Sequence, residues 1–500
     1  MIEMSLAELA RIVDGELADV SQEDAERILV TGTVEFDSRA VTAGGLFLAL
    51  PGARSDGHDH ASAAVAAGAV GVLAARPVGV PAIVVHPEPV EQRGDSGASV
   101  LEHDRDGSGA AVLGALARLA AAVARELVAD GLKVVGVTGS SGKTSTKDLL
   151  AAVLAPLGEV VAPPGSFNNE LGHPWTVLRA TRDTDFLVLE LSARHPGNIA
   201  ALAAIAPPSI GVVLNVGTAH LGEFGSRDAI AATKSELPQS VPASGVVVLN
   251  ADDSAVAAMA DKTAARVVRV GRTPEADVWA DDVVLDELAR PRFTLHHGGA
   301  AVHVALAVHG DHQVSNALCA AAVALQCGAT VDGVAAVLAT AGPVSRHRMA
   351  VQTRADGVTV VNDAYNANPD SMRAGLKALA WMASSGDASP RRSWAVLGEM
   401  AELGDESIAE HDSIGRLAVR LDVTRLVVVG TGRSMSAMHH GAVMEGSWGN
   451  EAVLVPDADA ALALLRAELG DGDVVLVKAS NSAGLGALAE ALLDDGVDPA

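Results

Sequence analysis

The sequence predicts an α/β protein of three domains: a small N-terminal α/β domain, a central domain on a mostly parallel sheet of P-loop type, and a C-terminal Rossmann-like α/β domain. Two observations carry this reading. The chain has 500 residues, enough for roughly 3 domains because single cores seldom grow past about 250 residues. Short apolar strands also alternate with helical stretches along most of its length, the order expected when helices cover both faces of parallel sheets.

Residues 34–73 read as a strand, a turn at Gly44-Gly45, the strand LFLAL, a turn rich in Gly and Asp, a helix and the strand AVGVLA. Residues 86–109 carry Pro, Gly, Ser and mixed charges without an apolar period, which marks a linker and closes a first domain at 1–105. A central domain, 106–344, holds the strands KVVGVTG, FLVLELS, SIGVVLNV and GVVVLN. A third, 345–500, holds VTVVND, SWAVLGEM, RLVVVG and DVVLVKAS. The apolar stretch 110–129 is interrupted by Arg118, Arg125 and Glu126, so it reads as an amphipathic helix and not a membrane span. No solenoid repeat or sustained heptad is present.

With 62 acidic and 36 basic residues the net charge is -26, which repels phosphate backbones and anionic bilayers and argues against a nucleic-acid partner. A nest of backbone amides or a bound cation can still reverse the sign inside one cleft. The two cysteines, Cys319 and Cys327, lie eight residues apart in an alanine-rich helical stretch. That separation is about 12 Å, too far for a disulfide. The chain also opens without the basic start and apolar core of a signal peptide, so a cytoplasmic protein, working as a monomer, is expected.

The strand 133–137 runs directly into Gly139-Ser140-Ser141-Gly142-Lys143-Thr144-Ser145 and a helix. In that setting glycines let backbone amides face phosphate oxygens, Lys143 supplies a cation for the terminal phosphates, and Thr144 offers a hydroxyl to Mg2+. Two residues separate Gly139 from Gly142 where the commonest phosphate loop has four. A nucleotide site also needs acids at strand ends, and Glu190 closes the strand FLVLE. A solvated strand-end glutamate is the alternative. His220 follows the strand GVVLNV in a loop, where a ligand and a turn residue are about equally common.

Other signals are weaker. Residues 427–432 lack the third glycine and the acidic residue of a dinucleotide fingerprint and read as a strand-to-helix turn. His58-Asp59-His60, His296-His297 and His439-His440 lack zinc-ligand spacing and read as surface histidines in polar loops or a hairpin. Asn250-Ala251-Asp252-Asp253 has alanine where a guanine-reading motif needs lysine, so it reads as a strand-end turn. Tyr365 is the sole tyrosine, beside Asp363 and Asn366 in NDAYNANPDSM; stacking on a base, a hydrogen bond and core packing are its candidate roles.

Together these segments resemble the Mur ligases of cell-wall synthesis, over nearly the whole chain. TGSSGKTST, Glu190, NVGTAHLGEFGS and RDAIAATKSEL carry the family likeness. FDSRAVTAGGLFLALPG with DGHDH, GSFNNELGHPWTVLRA, NDAYNANPDSM and LGEMAELGDES point to the member that adds D-alanyl-D-alanine to UDP-N-acetylmuramoyl-tripeptide. The resemblance implies that the tripeptide carboxylate takes the γ-phosphate of ATP to give an acyl phosphate, which the dipeptide amine then attacks. It also implies two Mg2+ ions held by Thr144, Glu190, His220 and Lys234, the last carbamylated by CO2. Nucleotide contacts would come from the loop with His312, Asn316, Arg346, Arg348, Asp363, Tyr365 and Asn366; the family's one hinge arginine aligns with either Arg346 or Arg348. The same likeness puts UDP on the first domain near Ser38 and Arg39, the peptide near Asn168, Asn169 and Ser192, and the dipeptide near Lys478 and Ser480. Domain closure on ATP is expected, because water must be kept from the acyl phosphate. Another amide-forming Mur-type ligase or a folylpolyglutamate synthetase relative would keep the loop and Glu190 but lack FNNELG and YNANPDSM. A P-loop kinase or switch would not account for the third α/β region.

Overall fold

A computed structural model of the chain describes residues 1–52, 55–87, 101, 104–217, 221–385, 390–446, 449 and 451–495. Three large sheets follow one another along it. The first has the order Glu16–Ala18, Ala82–Val84, Ala69–Ala74, Gly45–Leu48, Val34–Glu35, parallel except at its Glu16–Ala18 edge.

The second sheet has nine strands. Its parallel part runs Val160–Val161, Phe186–Glu190, Lys133–Thr138, Ile210–Val213, Val246–Asn250, Arg266–Gly271, Val278–Leu285. Pro291–His297 and Ala300–Ala305 then add as an antiparallel ribbon. The strands predicted for this region form as expected, buried on both faces. The ribbon is an addition that the alternating strand and helix pattern did not reveal.

The third sheet orders Ala350–Thr353, Thr359–Asn362, Val474–Lys478, Ser393–Leu397, Arg425–Val429, Ala452–Val455 and is parallel apart from its first strand. Period-2 alternation divides its side chains between two cores: Leu426 and Val428 enter one, Val427 and Val429 the other. Residues 430–432 are a strand-to-helix turn as expected, leading into the helix Arg433–Glu445.

The helix Ser108–Ala129 buries Val112, Leu116, Leu119 and Val123 in one cluster with Leu6, Leu46 and Ile83 of the first sheet's region and Val134, Leu187 and Leu249 of the second. Trp175 reinforces the junction: its indole N–H donates to the Val34 carbonyl at 2.8 Å, and its ring packs on Phe36 and Phe167. No helix among the described residues is long and apolar enough to cross a membrane.

Two histidine expectations are corrected. His58 is buried, its Nδ1 2.6 Å from Asp56 Oδ1 while Nε2 accepts the Ala75 N–H at 3.0 Å. Both ring nitrogens serve the fold there, which an isolated DGHDH string does not disclose. His439 and His440 lie within the helix Arg433–Glu445 and not in a loop. The cysteines are unbonded, as expected.

Candidate active site

The strand Lys133–Thr138 lies between Phe186–Glu190 and Ile210–Val213, parallel to both. The carboxyl ends of these three strands therefore open on one crevice, the usual ligand position in such sheets. The loop after Lys133–Thr138 turns through Gly142 at φ +82° into the helix Lys143–Leu154. A Cβ at Gly142 would sit 2.7 Å from Asn316 Oδ1, so both the backbone conformation and the close approach require glycine. Asn215 stitches the loop from the neighbouring strand end. Its carbonyl accepts the Ser140 N–H, its Oδ1 accepts the Ser141 N–H at 3.0 Å, and its Nδ2 donates to the Ser141 carbonyl at 3.2 Å.

The loop borders a cavity of about 710 Å³ shared by the second and third sheets' regions. Asn368 caps the helix Pro369–Ser384 and reaches across to donate to the Ser140 carbonyl at 3.4 Å. That helix's amino end therefore faces the phosphate loop, adding partial positive charge to an anion site. Arg348 bridges the same gap: it donates to Thr144 Oγ1 at 3.2 Å and lies over the Tyr365 ring, 4.3 Å from its centroid.

Charge in the cleft is tightly organised. Lys143 donates to the Gly139 carbonyl at 2.6 Å. Burial, helped by Arg348 and opposed by Glu190, pushes its ammonium down to about 8. Glu190 is fully buried. One oxygen, Oε2, accepts from Thr144 Oγ1 at 3.2 Å and from Ser166 and Asn168 at 3.4 Å, while Oε1 has no hydrogen-bond partner among the described residues. Burial raises its pKa against the pull of Arg348, Lys147 and Lys143. An orphaned buried carboxylate oxygen beside a threonine hydroxyl is a donor set that suits a hard divalent cation. Lys234 ends the helix Arg227–Lys234 and is buried, not solvated as an isolated helical lysine would be. Burial and the Lys143 charge hold its pKa well below the ordinary lysine value.

Family models match in chain order: Mur ligase family, catalytic domain, over residues 32–123; Mur ligase middle domain over 137–324; and Mur ligase, glutamate ligase domain, over 347–481. A relative from Mycobacterium tuberculosis, named UDP-N-acetylmuramoyl-tripeptide--D-alanyl-D-alanine ligase, is 73% identical over 99% of this chain and 98% of its own. The chain belongs to the Mur ligase family. A relative of the same name from Mycobacterium leprae is 70% identical over 99% of both chains. The crystal structure of MurF from Acinetobacter baumannii superposes with a TM-score of 0.80 at 28% identity, covering 98% of this chain and 99% of that one. MurF ligase from Thermotoga maritima in complex with ADP gives 0.73 at 28% identity, covering 93% and 98%.

In this Mur ligase the cavity wall includes Ser140, Ser141, Gly142, Lys143, Thr144 and Ser145 of the loop. It also includes His312, Asn316, Arg348, Asp363, Tyr365 and Asn366, with Asn168, Asn169, Ser192, Lys478 and Ser480. Gly139 stands behind it as the acceptor for Lys143. Glu190 and Lys234 are buried rather than part of the wall. Of the two hinge arginines the structure brings only Arg348 to the cavity; Arg346 is exposed away from it. Ser38 and Arg39 are also elsewhere, Arg39 extended to solvent and paired with Asp37. His220 lies outside the described residues. The Lys478 ammonium is committed internally, to Asp363 Oδ2 at 2.5 Å and the Asn366 carbonyl at 3.0 Å.

Several contributors have no signature in the sequence. Asn215 lies inside the quoted NVGTAHLGEFGS, but nothing in its spacing identified it. Arg194 and Glu402 form an ion pair at 2.5 Å across the cavity, from the second and third regions. Gly222 and Gly404 meet so closely that a Cβ on Gly222 would lie 2.6 Å from the Gly404 nitrogen. Such long-range pairs leave no local pattern.

Proposed function

We propose that this Mur ligase joins D-alanyl-D-alanine to UDP-N-acetylmuramoyl-tripeptide at the expense of ATP, in the synthesis of peptidoglycan precursors. The observation that carries the reading is end-to-end likeness, 73% over 99% of the chain, to a relative of that name. The cleft supports it: a phosphate loop faces the 363–371 segment of a second α/β unit across a cavity of about 710 Å³.

In this reading residues 1–105 take the UDP moiety around Ser38 and Arg39, 106–344 hold ATP, and 345–500 complete the nucleotide site and admit the dipeptide. A tripeptide carboxylate oxygen attacks the γ-phosphorus and ADP leaves, because a carboxylate is a poor electrophile until its oxygen becomes a leaving group. The dipeptide amine nitrogen then attacks the acyl carbon, inorganic phosphate departs and the nitrogen loses its proton. Lys143 and Arg348 stabilise the charge on the transferred phosphoryl group. Thr144 Oγ1 and the free Oε1 of Glu190 would hold Mg2+, which supplies further charge neutralisation.

Lys234, buried beside Lys143, suits carbamylation: burial and the Lys143 charge disfavour its ammonium, and an amine that adds to CO2 and loses a proton would become an anion there. That anion, with His220, would serve a second Mg2+. Labelled CO2 trapped on Lys234, and a rate that falls on CO2 depletion and recovers with bicarbonate, test this. A rate indifferent to bicarbonate, or full activity in Lys234→Ala, would rule it out. The reading also takes the protein to work in the cytoplasm, a compartment that suits two unbonded cysteines, and as a monomer.

The deciding assay mixes protein, ATP, Mg2+, UDP-N-acetylmuramoyl-tripeptide and D-alanyl-D-alanine. Phosphate release that needs both peptide substrates is expected. Release independent of the dipeptide would refute the reaction.

A further inference from the structure

Arg348 reaches the phosphate loop from a hinge, residues 345–349, whose backbone is strained. His347 and Met349, on either side of Arg348, both hold left-handed conformations at φ +56° and +49°. Neither is glycine, so surrounding contacts must hold the turn in place.

Besides a contact of His347 Nε2 with Glu490 Oε1 at 2.9 Å, those contacts include two buried lysine–aspartate pairs. Before Arg348, Asp148 accepts the Ser345 N–H at 3.0 Å and the Ser345 hydroxyl at 3.1 Å. Lys147 is paired with Asp148 and donates to Ser345 Oγ at 3.1 Å and to the Pro163 carbonyl at 2.8 Å. After Arg348, Asp363 accepts the Met349 N–H at 3.1 Å while Lys478 is bonded to Asp363. Lys147, Asp148 and Ser345 are all at least nine-tenths buried. Lys147 and Asp148 sit on the helix Lys143–Leu154, one turn beyond the phosphate loop.

A buried ion pair adds little stability relative to apolar residues of the same volume, but it fixes geometry where its hydrogen bonds are complete. We propose that Lys147 and Asp148 are positioning residues: they anchor Ser345, hold the strained turn, and so keep Arg348 on Thr144 and Tyr365 for nucleotide binding. They act through Arg348 and do not touch the substrate. The inference rests on the nucleotide part of the proposed function and not on its peptide substrates.

The test is therefore MgADP binding by calorimetry, without peptide. Lys147→Met with Asp148→Leu removes both charges together, so neither is left buried alone. Ser345→Ala is a milder release that keeps the pair. The double change is expected to weaken MgADP about tenfold in the wild-type background and less than about twofold in an Arg348→Ala background, as coupled residues should. Ser345→Ala is expected to show a smaller loss, also absent without Arg348, and it decides the matter if the double change does not fold. Binding equal to wild type, or losses that multiply with Arg348→Ala, would overturn the proposal. Lys147 also acts electrostatically on Glu190, and a multiplying loss is what that separate route would give.

Discussion

Replacing Lys143 by methionine is expected to stabilise the protein while abolishing its activity. Its ammonium is pushed from 10.5 to about 8, chiefly by burial. At about 1.4 kcal/mol per pH unit the charge costs about 3 kcal/mol, and solvent at the cavity wall reduces that to about 2. Methionine keeps the apolar stem and loses the bond to the Gly139 carbonyl, which at a wet cavity wall contributes about 1.5 kcal/mol, the low end for a charged donor. The balance is a gain of about 0.5 kcal/mol, or roughly 1 to 2 °C in the transition of the central region. The assay is scanning calorimetry without nucleotide at pH 7, repeated with MgATP. Ligand at a hundred times its Kd adds about 2.7 kcal/mol to wild type and should add almost nothing to the variant. The sign with pH is fixed: the cost is fully present below pH 8 and fades as pH rises towards 10.5, so the advantage of the variant should shrink across that window. A variant that melts below wild type without nucleotide, or gains as much from MgATP, would refute the reasoning.

Three further outcomes are expected. Because free enzyme loses the Lys143 cation above pH 8, kcat/KM for ATP should fall about tenfold per pH unit there; a flat profile to pH 9.5 in wild type counts against that role. Arg348→Ala removes the cation held between Thr144 and Tyr365 beside the phosphate loop; a charged hydrogen bond to a phosphate oxygen contributes about 1.5 to 2.5 kcal/mol, so ADP should bind about 10- to 70-fold more weakly, whereas Arg346→Ala should leave binding within twofold. Gly222→Ala places a Cβ 2.6 Å from the Gly404 nitrogen; it should lower kcat through poorer domain contact while nucleotide affinity changes little, and unchanged steady-state kinetics would remove that contact from the working cycle.

Much of the fold was legible because its signals are local. The apolar runs read as strands from their flanking turns all became strands, and the strand–loop–helix order exposed Lys143 and Thr144. Glu190 was legible because a strand end is a fixed place. What failed was whatever depends on partners distant in sequence. Asp148 and Ser345 are 197 positions apart, and Asn368 and Ser140 are 228 apart. Arg346 and Arg348 are indistinguishable as letters; the left-handed turn at His347 and Met349 sends only Arg348 into the cleft. The internal carboxylate partner of Lys478, Asp363, is brought beside it only by the pairing of Thr359–Asn362 with Val474–Lys478.

The helix Ser108–Ala129 has a consequence for anyone wishing to exchange parts between members of the family. Its apolar side is buried jointly by the first and second sheets' regions, in a single cluster containing Leu46, Leu116 and Leu187. A graft cut in the linker near residue 105 would seat a foreign first domain on a native helix and expose mismatched surface on both. The transplantable cassette therefore includes the helix and the Trp175 junction. The unit that can be exchanged is then larger than the linker suggests, and a change to the first sheet's region must be matched by changes in the central core.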